Sequence, residues 1–484
     1  MILSLRKKRR RLVLHKGRMR HSLLIAVFTF LLSSLCLANQ IKLQGFVTAV
    51  HSSTSFEIDD YKISDETSLG EKNGKSRVEP GKPVSLRIGL ELEVKGDYNR
   101  ATGEVKAQEI KVLSDDENVA GSGLVENKAS LKRDARGWSG TLVADGEILT
   151  VTPDTVITAK RSKTGRQQRS VNEASDENVP LSPEEIGLDT FAHYAGARQP
   201  DDSILTKRIE FEQDTVDADE ARAWKQLAAR LDYSDSQTGA GKLTIDETER
   251  DMFPCPEAQE YLTKIGMRLV PPYQRELSDS DPLKIQFRFF LIDTDTMVAG
   301  AYPNGIVVVS AHVFDVLDNE AQLAFMLSHE MARAVEKQAW RAYRYRRGER
   351  VTISLAGAAA SMFTYGAASL GTTIAERRVL NDFSRQLETQ ADRAGLAYMF
   401  AAGYDPREAP EVWRAIARNR ADRDKRLFWS HHTQNFTHRS YLEAELNLRY
   451  GKEELSTFKK NTPEFKSAAD AIKSVRQRGK SKAK

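Results

Sequence analysis

His329 and Glu330 stand side by side in the run LAFMLSHEMARAVEKQ, which spans residues 323–338. Imidazoles at positions i and i+4 of a helix project from one face and can bind one Zn²⁺ ion, while the glutamate between them activates a metal-bound water. The residue four positions after His329 is Arg333, which is always protonated and has no lone pair to donate. The run therefore offers part of a hydrolytic zinc site, with a cation at the place of the second histidine.

The same run is predicted to form an amphipathic helix with one buried stripe. Its apolar residues recur at helical spacing, and Asp318 and Asn319 stand before it with side chains that can cap a helix. Two apolar runs earlier in the chain, Leu283–Ile292 and Ile306–Ser310, are predicted to be strands. We expect the second strand, near Val308, to align an extended substrate as an edge strand, with ordinary sheet core as the alternative.

A second helix is predicted over Leu380–Ala401, where an apolar stripe recurs at helical spacing and Gly403 follows as a terminator. On this helix Glu388 and Asp392 are four residues apart, so that their carboxylates face the same way. The two predicted helices could together assemble one cluster of imidazole and carboxylate groups.

The order of these motifs resembles the zinc peptidases of the HtpX and CAAX prenyl protease family. Their shared pattern is a strand, the HExxH helix, a later ExxxAD helix with a Gly-Tyr-Asp-Pro exit, and a downstream histidine and arginine. The resemblance covers residues 217–450, where residues 388–392 read ETQAD, AGYDP follows, and the downstream positions hold His432 and then His438 or Arg439. It implies a zinc-dependent endopeptidase with an α+β, mainly helical, zincin-like domain.

The resemblance also implies a role for each matching residue. His329 would be the first zinc ligand, Glu388 a further ligand, and Glu330 the general base. Asp392 would orient a ligand from outside the metal shell, and His432 would face the catalytic cleft. One Zn²⁺ ion per chain is the cofactor that this ligand set implies.

Two positions depart from the family pattern. Arg333 replaces the second histidine ligand, and Gln338 replaces a histidine that is common one turn later. The guanidinium of Arg333 would repel a zinc ion, and a more natural partner for it is the carboxylate of Glu388 or Glu330. We therefore expect an ion pair at the place where the family pattern has a metal.

Two functions stay open at this point. The first is an exported zinc endopeptidase with a degenerate metal site, in which His431 or His432 completes the coordination. The second is an inactive pseudopeptidase that acts as a binding or chaperone-like module for envelope proteins. In both cases the expected partners are exported polypeptides.

The first 38 residues have the composition of a secretory signal peptide. Nine Lys and Arg lie between Arg6 and Arg20, residues 23–38 carry no charge, and Ala38 suits a cleavage position. The alternative is an uncleaved anchor, but the uncharged run is shorter than the roughly 20 residues that a membrane span prefers. We expect export across the inner membrane to the periplasm or cell envelope of a bacterium.

Removal of this leader would change the formal net charge from +4 to −5, because the leader carries nine positive charges and no negative one. The basic balance of the whole chain therefore belongs to export and argues against nucleic-acid binding. Cleavage would also remove Cys36 and leave Cys255 alone, which excludes an internal disulfide.

Two small all-β, OB-like domains are predicted ahead of the helical domain, over residues 39–115 and 137–214. Both segments alternate apolar and polar residues in short runs that are bounded by turn residues. Residues 116–136 between them are polar and without period, and are predicted to be a linker. A spacer or docking role is the expectation for this pair of domains.

Two further segments stand out by composition. Val351–Ala375 has no charged residue and is long enough for a membrane span, but its many small residues favour a helical hairpin near the site. Gly451–Lys484 carries ten Lys and Arg against four Asp and Glu, and is predicted to be a solvated basic tail. Contact of this tail with a membrane surface is the alternative.

Overall fold

The computed structural model describes most of the chain from Gln40 onward. The predicted signal peptide, His431 and His432, and residues 351–373 of the predicted hairpin lie outside the described residues. The described residues are 40–64, 86–114, 117–128, 130–160, 182–187, 190–214, 216, 218–245, 248–294, 297–341, 374–419 and 435–482.

The first part of the chain folds into one six-stranded sheet, which we call the first β domain (residues 40–114). Its strands are β1 (Gln40–Phe46), β2 (Ala49–Ser52), β3 (Ser55–Ile58), β4 (Tyr61–Ser64), β5 (Glu91–Asn99) and β6 (Glu104–Val112). The strand order is β1-β5-β6-β4-β3-β2. The sheet curls around its own apolar core, because its two end strands, β1 and β2, meet at one corner, where Val47 N donates to Leu90 O and Thr48 N donates to Glu57 O of β3.

The second β domain (residues 117–214) contains a closed ring of strands. Its strands are β7 (Val119–Asn127), β8 (Lys132–Asp134), β9 (Gly137–Ala144), β10 (Glu147–Val151), β11 (Val156–Lys160), β12 (Thr190–Arg198) and β13 (Ile204–Gln213). The order β10-β13-β12-β7-β9 returns to β10, because β9 and β10 also pair. The N-terminal region is therefore β-rich and barrel-like, whereas the OB-like assignment stays a prediction.

The linker predicted over residues 116–136 is wrong, since this segment contains β7 and β8. Glycines hide the alternation of β7 from a sequence pattern. A Cβ added to Gly121 would lie 2.3 Å from the hydroxyl of Tyr194, and one added to Gly123 would lie 2.8 Å from a carboxylate oxygen of Asp145. Close approach of these neighbouring side chains thus excludes the residues that would have marked β7 as a strand.

The rest of the chain is mainly helical. Its helices are α1 (Ala218–Gln226), α2 (Pro256–Leu269), α3 (Pro272–Glu276), α4 (Val313–Val316), α5 (Glu320–Val335), α6 (Ile374–Ala401), α7 (Glu408–Arg418), α8 (Asn435–Glu445) and α9 (Pro463–Lys482). Its strands are β14 (Arg230–Asp235), β15 (Ala240–Ile245), β16 (Thr248–Asp251), β17 (Arg288–Ile292), β18 (Ala299–Ala301) and β19 (Ile306–Ser310). Within the described ranges, none of the helices has the length and apolarity that a membrane crossing requires.

The three-stranded sheet before α5 has the order β17-β19-β18. The predicted strand Ile306–Ser310 is confirmed as β19, but the prediction that it is an edge strand is wrong. It runs parallel to β17 and antiparallel to β18, and all five of its residues are buried. A continuous apolar run is typical of a strand covered on both faces, and β18 is the last strand on that side among the described residues.

Helix α5 is confirmed where the sequence predicted it, and Asn319 caps it by accepting a hydrogen bond from Gln322 N at 3.0 Å. The prediction of one buried stripe is wrong, because every residue from Glu320 to Val335 is buried. Helices α2, α6 and α7 and strand β18 all contact α5. The helix that carries His329 is therefore the centre of the largest apolar core of the protein.

The basic tail predicted over residues 451–484 contains α9, which packs on the same core. Phe465, Ala468 and Ile472 are buried there. Their spacing of three and four residues gives α9 an apolar stripe that the abundance of Lys and Arg conceals in a composition count. The prediction of a solvated tail is therefore wrong for this helix.

Replacement of Ile472 by alanine is expected to lower the free energy of unfolding by about 2 to 5 kcal/mol, because it leaves a cavity in a packed core. Urea titration followed by circular dichroism measures the change. The neighbouring exposed substitution Lys473→Ala is the control and should change stability by no more than about 0.5 kcal/mol. Equal effects of the two substitutions would contradict the packing of α9.

Candidate functional site

Helices α5 and α6 cross in close contact at His329. A Cβ added to Gly395 would lie 2.8 Å from the backbone nitrogen of His329, so that this contact requires glycine. Ala332, Ala391 and Ala394 are buried together beside it. Small residues on both helices thus let α6 present its carboxylates directly to α5.

His329 lies between the two carboxylates of α6. Its Nδ1 is 2.9 Å from Asp392 Oδ1, and its Nε2 is 3.5 Å from Glu388 Oε2. The side chains of His329 and Asp392 have no exposed surface. The i and i+4 spacing of Glu388 and Asp392 therefore places one carboxylate at each nitrogen of the imidazole.

Arg333 contacts the same glutamate from the next turn of α5. Its Nη1 donates a hydrogen bond to Glu388 Oε1 at 2.6 Å, and its Nε is 4.0 Å from Glu330 Oε2. The Arg333 side chain is 4% exposed. The structure thus has the ion pair between Arg333 and Glu388, through one short hydrogen bond rather than two parallel ones, with Glu330 nearby.

His438 on α8 completes the described cluster. Its Nδ1 is 2.6 Å from Asp392 Oδ2, and its ring stacks on Trp413 with 4.6 Å between the ring centres. Asp392 therefore accepts from two imidazoles, one on each oxygen. The sequence marked His438 only as one of two residues at the place of the downstream arginine, because nothing local shows that α8 reaches Asp392.

Burial and neighbouring charge act in opposite directions on these groups. Burial alone would lower the pKa of His329, but Asp392 and Glu388 outweigh it and raise this pKa to about 10. Burial would raise the pKa of Glu388, but Arg333 and His329 hold it well below its usual value. His438 and His329 lower the pKa of Asp392 against the effect of burial in the same way. At neutral pH the site therefore holds ionised carboxylates beside a protonated imidazole.

Gln338 connects the helices one turn after Arg333. Its side-chain nitrogen donates to the carbonyl oxygen of Leu387 at 2.9 Å and to Glu336 at 3.0 Å. Gln338 is fully buried. This residue, which replaces a common histidine of the family pattern, thus joins the end of α5 to the turn of α6 that carries Glu388.

The described residues do not fit a zinc ion. Among them, no three His, Cys, Asp or Glu side chains converge on a point that could hold a metal. Arg333 stands where the second histidine ligand is expected, and its guanidinium donates a hydrogen bond to Glu388 Oε1 at 2.6 Å. The residues at this site thus present a fixed cation to the carboxylate that the family resemblance implies as a ligand. His432, the predicted catalytic histidine, lies outside the described residues.

Comparison with known proteins supports a peptidase origin for this domain. Residues 256–457 match the family model of Peptidase family M48. The chain is 32% identical over 161 residues to the beta-barrel assembly-enhancing protease of Escherichia coli O157:H7, with 32% of each chain covered. It is 26% identical over 169 residues to the mitochondrial metalloendopeptidase OMA1 of Schizosaccharomyces pombe, with 33% of this chain and 49% of the relative covered. The match thus spans about a third of the length of the bacterial relative.

Substitution of Arg333 by alanine is expected to destabilise the protein by about 3 to 5 kcal/mol, because it leaves the Glu388 carboxylate buried without its partner. The double variant Arg333→Ala, Glu388→Gln should recover part of this loss, since both members of the pair are then uncharged. Urea unfolding of the two single variants and the double variant gives the coupling free energy. Additive losses would contradict an ion pair between Arg333 and Glu388.

Proposed function

We propose that the M48 peptidase domain over residues 256–457 binds extended segments of exported polypeptides, and that Arg333 takes the place of the catalytic metal ion. The hydrogen bond of 2.6 Å between Arg333 and Glu388 carries this proposal. This hydrogen bond places a permanent positive charge beside Glu388, the glutamate that would otherwise be a zinc ligand. The domain then keeps the fold of a metallopeptidase with a cleft that does not depend on metal.

In this proposal the site carboxylates hold the cleft together and do not act in hydrolysis. Glu388 neutralises Arg333 and faces His329, and Asp392 holds His329 and His438. Glu330 stands near Arg333 instead of activating a metal-bound water. Glu388 and Asp392 thus each have a hydrogen-bonded partner of opposite charge.

A zinc endopeptidase of the HtpX and CAAX prenyl protease type is the second candidate. The hydrogen bond from His329 Nδ1 to Asp392 favours it, because metal-binding histidines commonly donate their other ring nitrogen to a carboxylate. In this candidate Glu330 is the general base, Glu388 a ligand, and His431 or His432 supplies the missing coordination.

The proposed ligands are unfolded polypeptides of the bacterial envelope. The basic and apolar leader over residues 1–38 supports export to the periplasm. The name of the relative from Escherichia coli, beta-barrel assembly-enhancing protease, supports β-barrel polypeptides as one class of ligand. Strand β18 lies against α5 and is the described strand next to which an extended segment would pair.

The zinc content of the purified protein tests the place of Arg333. Wild-type protein is expected to hold far less than one zinc per chain by elemental mass spectrometry. Arg333→His should raise the content towards one, because it supplies an imidazole at the i+4 position. The control is Arg333→His combined with Glu388→Ala, which should return the zinc content to background.

The opposite result has a clear meaning. Wild-type protein with one zinc per chain, lost in Glu388→Ala, would establish a zinc site that includes Glu388 and exclude the metal-free site.

A fluorescently labelled, unfolded β-barrel polypeptide tests the binding activity. We expect its fluorescence anisotropy to rise with wild-type protein, while mass spectrometry shows no fragments even with added zinc. Arg333→His with zinc should bind the same polypeptide and cleave it, since Glu330 then lies beside a metal-bound water. The folded form of the same polypeptide is the control and should not bind. An unchanged anisotropy with the unfolded chain would rule out the proposed binding function.

A further inference from the structure

We propose that both β domains position the site, because they hold α6 and α8, the two helices that place Asp392 between His329 and His438. These contacts lie within the chain and do not depend on whether the site binds polypeptides or zinc. A direct part in the geometry of the site replaces the expected spacer role of the β domains.

The second β domain contacts α6 through the tight turn between β9 and β10. Both central residues of this turn, Asp145 and Gly146, have positive φ angles of 44° and 76°. The Asp145 carboxylate accepts a hydrogen bond from Gln390 at 2.6 Å, and its backbone oxygen accepts one from Arg393. A Cβ on Gly146 would lie 2.9 Å from the Arg393 side chain, so the turn and the helix are in direct contact.

Gln390 and Arg393 lie on a different side of α6 from the site carboxylates. In a helix with 3.6 residues per turn, positions 390 and 393 are rotated away from Glu388 and Asp392. Helix α6 is therefore held on one side by the second β domain, while the other side faces His329. A shift of the turn would move the carboxylates with the helix.

A buried ion pair network strengthens this contact. Arg393 Nη1 donates to Glu147 Oε1 at 2.8 Å, and Arg198 holds both oxygens of Glu147 at 3.1 and 3.2 Å. Burial alone would raise the pKa of Glu147, but Arg393, Arg198 and Arg449 lower it to about 2. Glu147 thus stays ionised at neutral pH, and the second β domain presents a permanent charge to α6.

The first β domain contacts α8 through strand β1. Phe46 N donates to the hydroxyl of Ser440 at 3.0 Å, and the hydroxyl of Thr437 donates to Gln44 O at 3.0 Å. A Cβ added to Gly45 would lie 2.7 Å from the Ser440 hydroxyl, so that the strand approaches the helix closely. Thr437 and Ser440 stand on either side of His438 in the sequence, and the hydroxyl of each bonds to β1.

Further contacts from the first β domain reach the same turn of α8. Arg439 forms an ion pair with the fully buried Asp59, and the ring of Phe436 packs edge-on against Tyr61 at 5.5 Å. The residues immediately around His438 are thus mostly engaged with the first β domain, whereas His438 itself points to Asp392. The first β domain thus holds α8 in place, and α8 in turn sets the position of the His438 imidazole.

Asp392 can keep both imidazoles only while α6 and α8 stay in register. Its two oxygens accept from His329 on α5 and from His438 on α8, at 2.9 and 2.6 Å. Since a different β domain holds each of α6 and α8, loosening either contact should weaken the hydrogen bonds of Asp392. Gln390 and Ser440 are therefore positioning residues that act through Asp392.

Proton NMR of the full chain tests this inference. An imidazole N–H that donates to a buried carboxylate resonates downfield of the backbone amides. The substitution His438→Asn removes the signal of His438 and thereby assigns the remaining one to His329. We expect Gln390→Leu and Ser440→Ala each to shift both downfield signals or abolish them. The readout requires neither a polypeptide nor zinc, so its outcome is separate from that of the proposed function.

Two matched substitutions separate positioning from general stability. Gln259→Leu removes the hydrogen bonds of Gln259 to β17, and Ser467→Ala removes a hydrogen bond to Glu257, both away from α6 and α8. They should leave the downfield signals in place even where urea unfolding shows a loss of stability. Unchanged signals in folded Gln390→Leu and Ser440→Ala, or equal shifts in the two controls, would overturn the inference.

Discussion

The buried contact between Arg333 and Glu388 is the constraint on which the rest of the site depends. An arginine side chain that is 4% exposed has lost almost all of its hydration, and close carboxylates offset that cost. Glu388 meets this need at 2.6 Å, and Glu330 Oε2 lies 4.0 Å from the Nε atom of Arg333. Burial of Arg333 therefore gives Glu388 an electrostatic role at this site, whether or not it also acts in catalysis.

The same requirement extends to the groups next to this pair. Arg333 contacts Glu388, Glu388 faces His329, and His329 and His438 share Asp392. In a dry interior each group needs the next one, because an uncompensated charge is far more costly there than in water. The contact of His438 with Asp392 thus brings α8, which is distant in sequence, to the site. The fold around α5 excludes water, and contacts between groups of opposite charge offset the cost of burying them.

Local chemistry allowed much of the site to be predicted from the sequence. The helical spacing of α5, the i and i+4 placement of Glu388 and Asp392, and the pairing of Arg333 with a carboxylate all follow from residue types and distances along one or two helices. His438 could not be assigned in this way, because its place beside Asp392 depends on how α8 packs against α7 and β1.

The errors in the fold have similar causes. Strand β7 was hidden by Gly121 and Gly123, which neighbouring side chains require. Helix α9 was hidden by the Lys and Arg residues that surround its apolar stripe. The central place of β19 depends on strand order, which an apolar run does not encode. In each case a contact between distant segments decided the structure where local composition pointed elsewhere.

If Arg333 takes the place of a metal ion, as proposed, a side chain and not a metal supply controls the state of the site. A bound metal stabilises a protein in proportion to the logarithm of its free concentration, so that a metal-dependent cleft responds to metal supply. A guanidinium is attached to the chain and stays protonated throughout the physiological range. Arg333 contacts Glu388, and the β domains hold α6 and α8. The positive charge at this site is therefore placed when the chain folds and does not have to be bound from solution. In the proposed metal-free site, the interactions that fold the domain also organise its carboxylates and imidazoles.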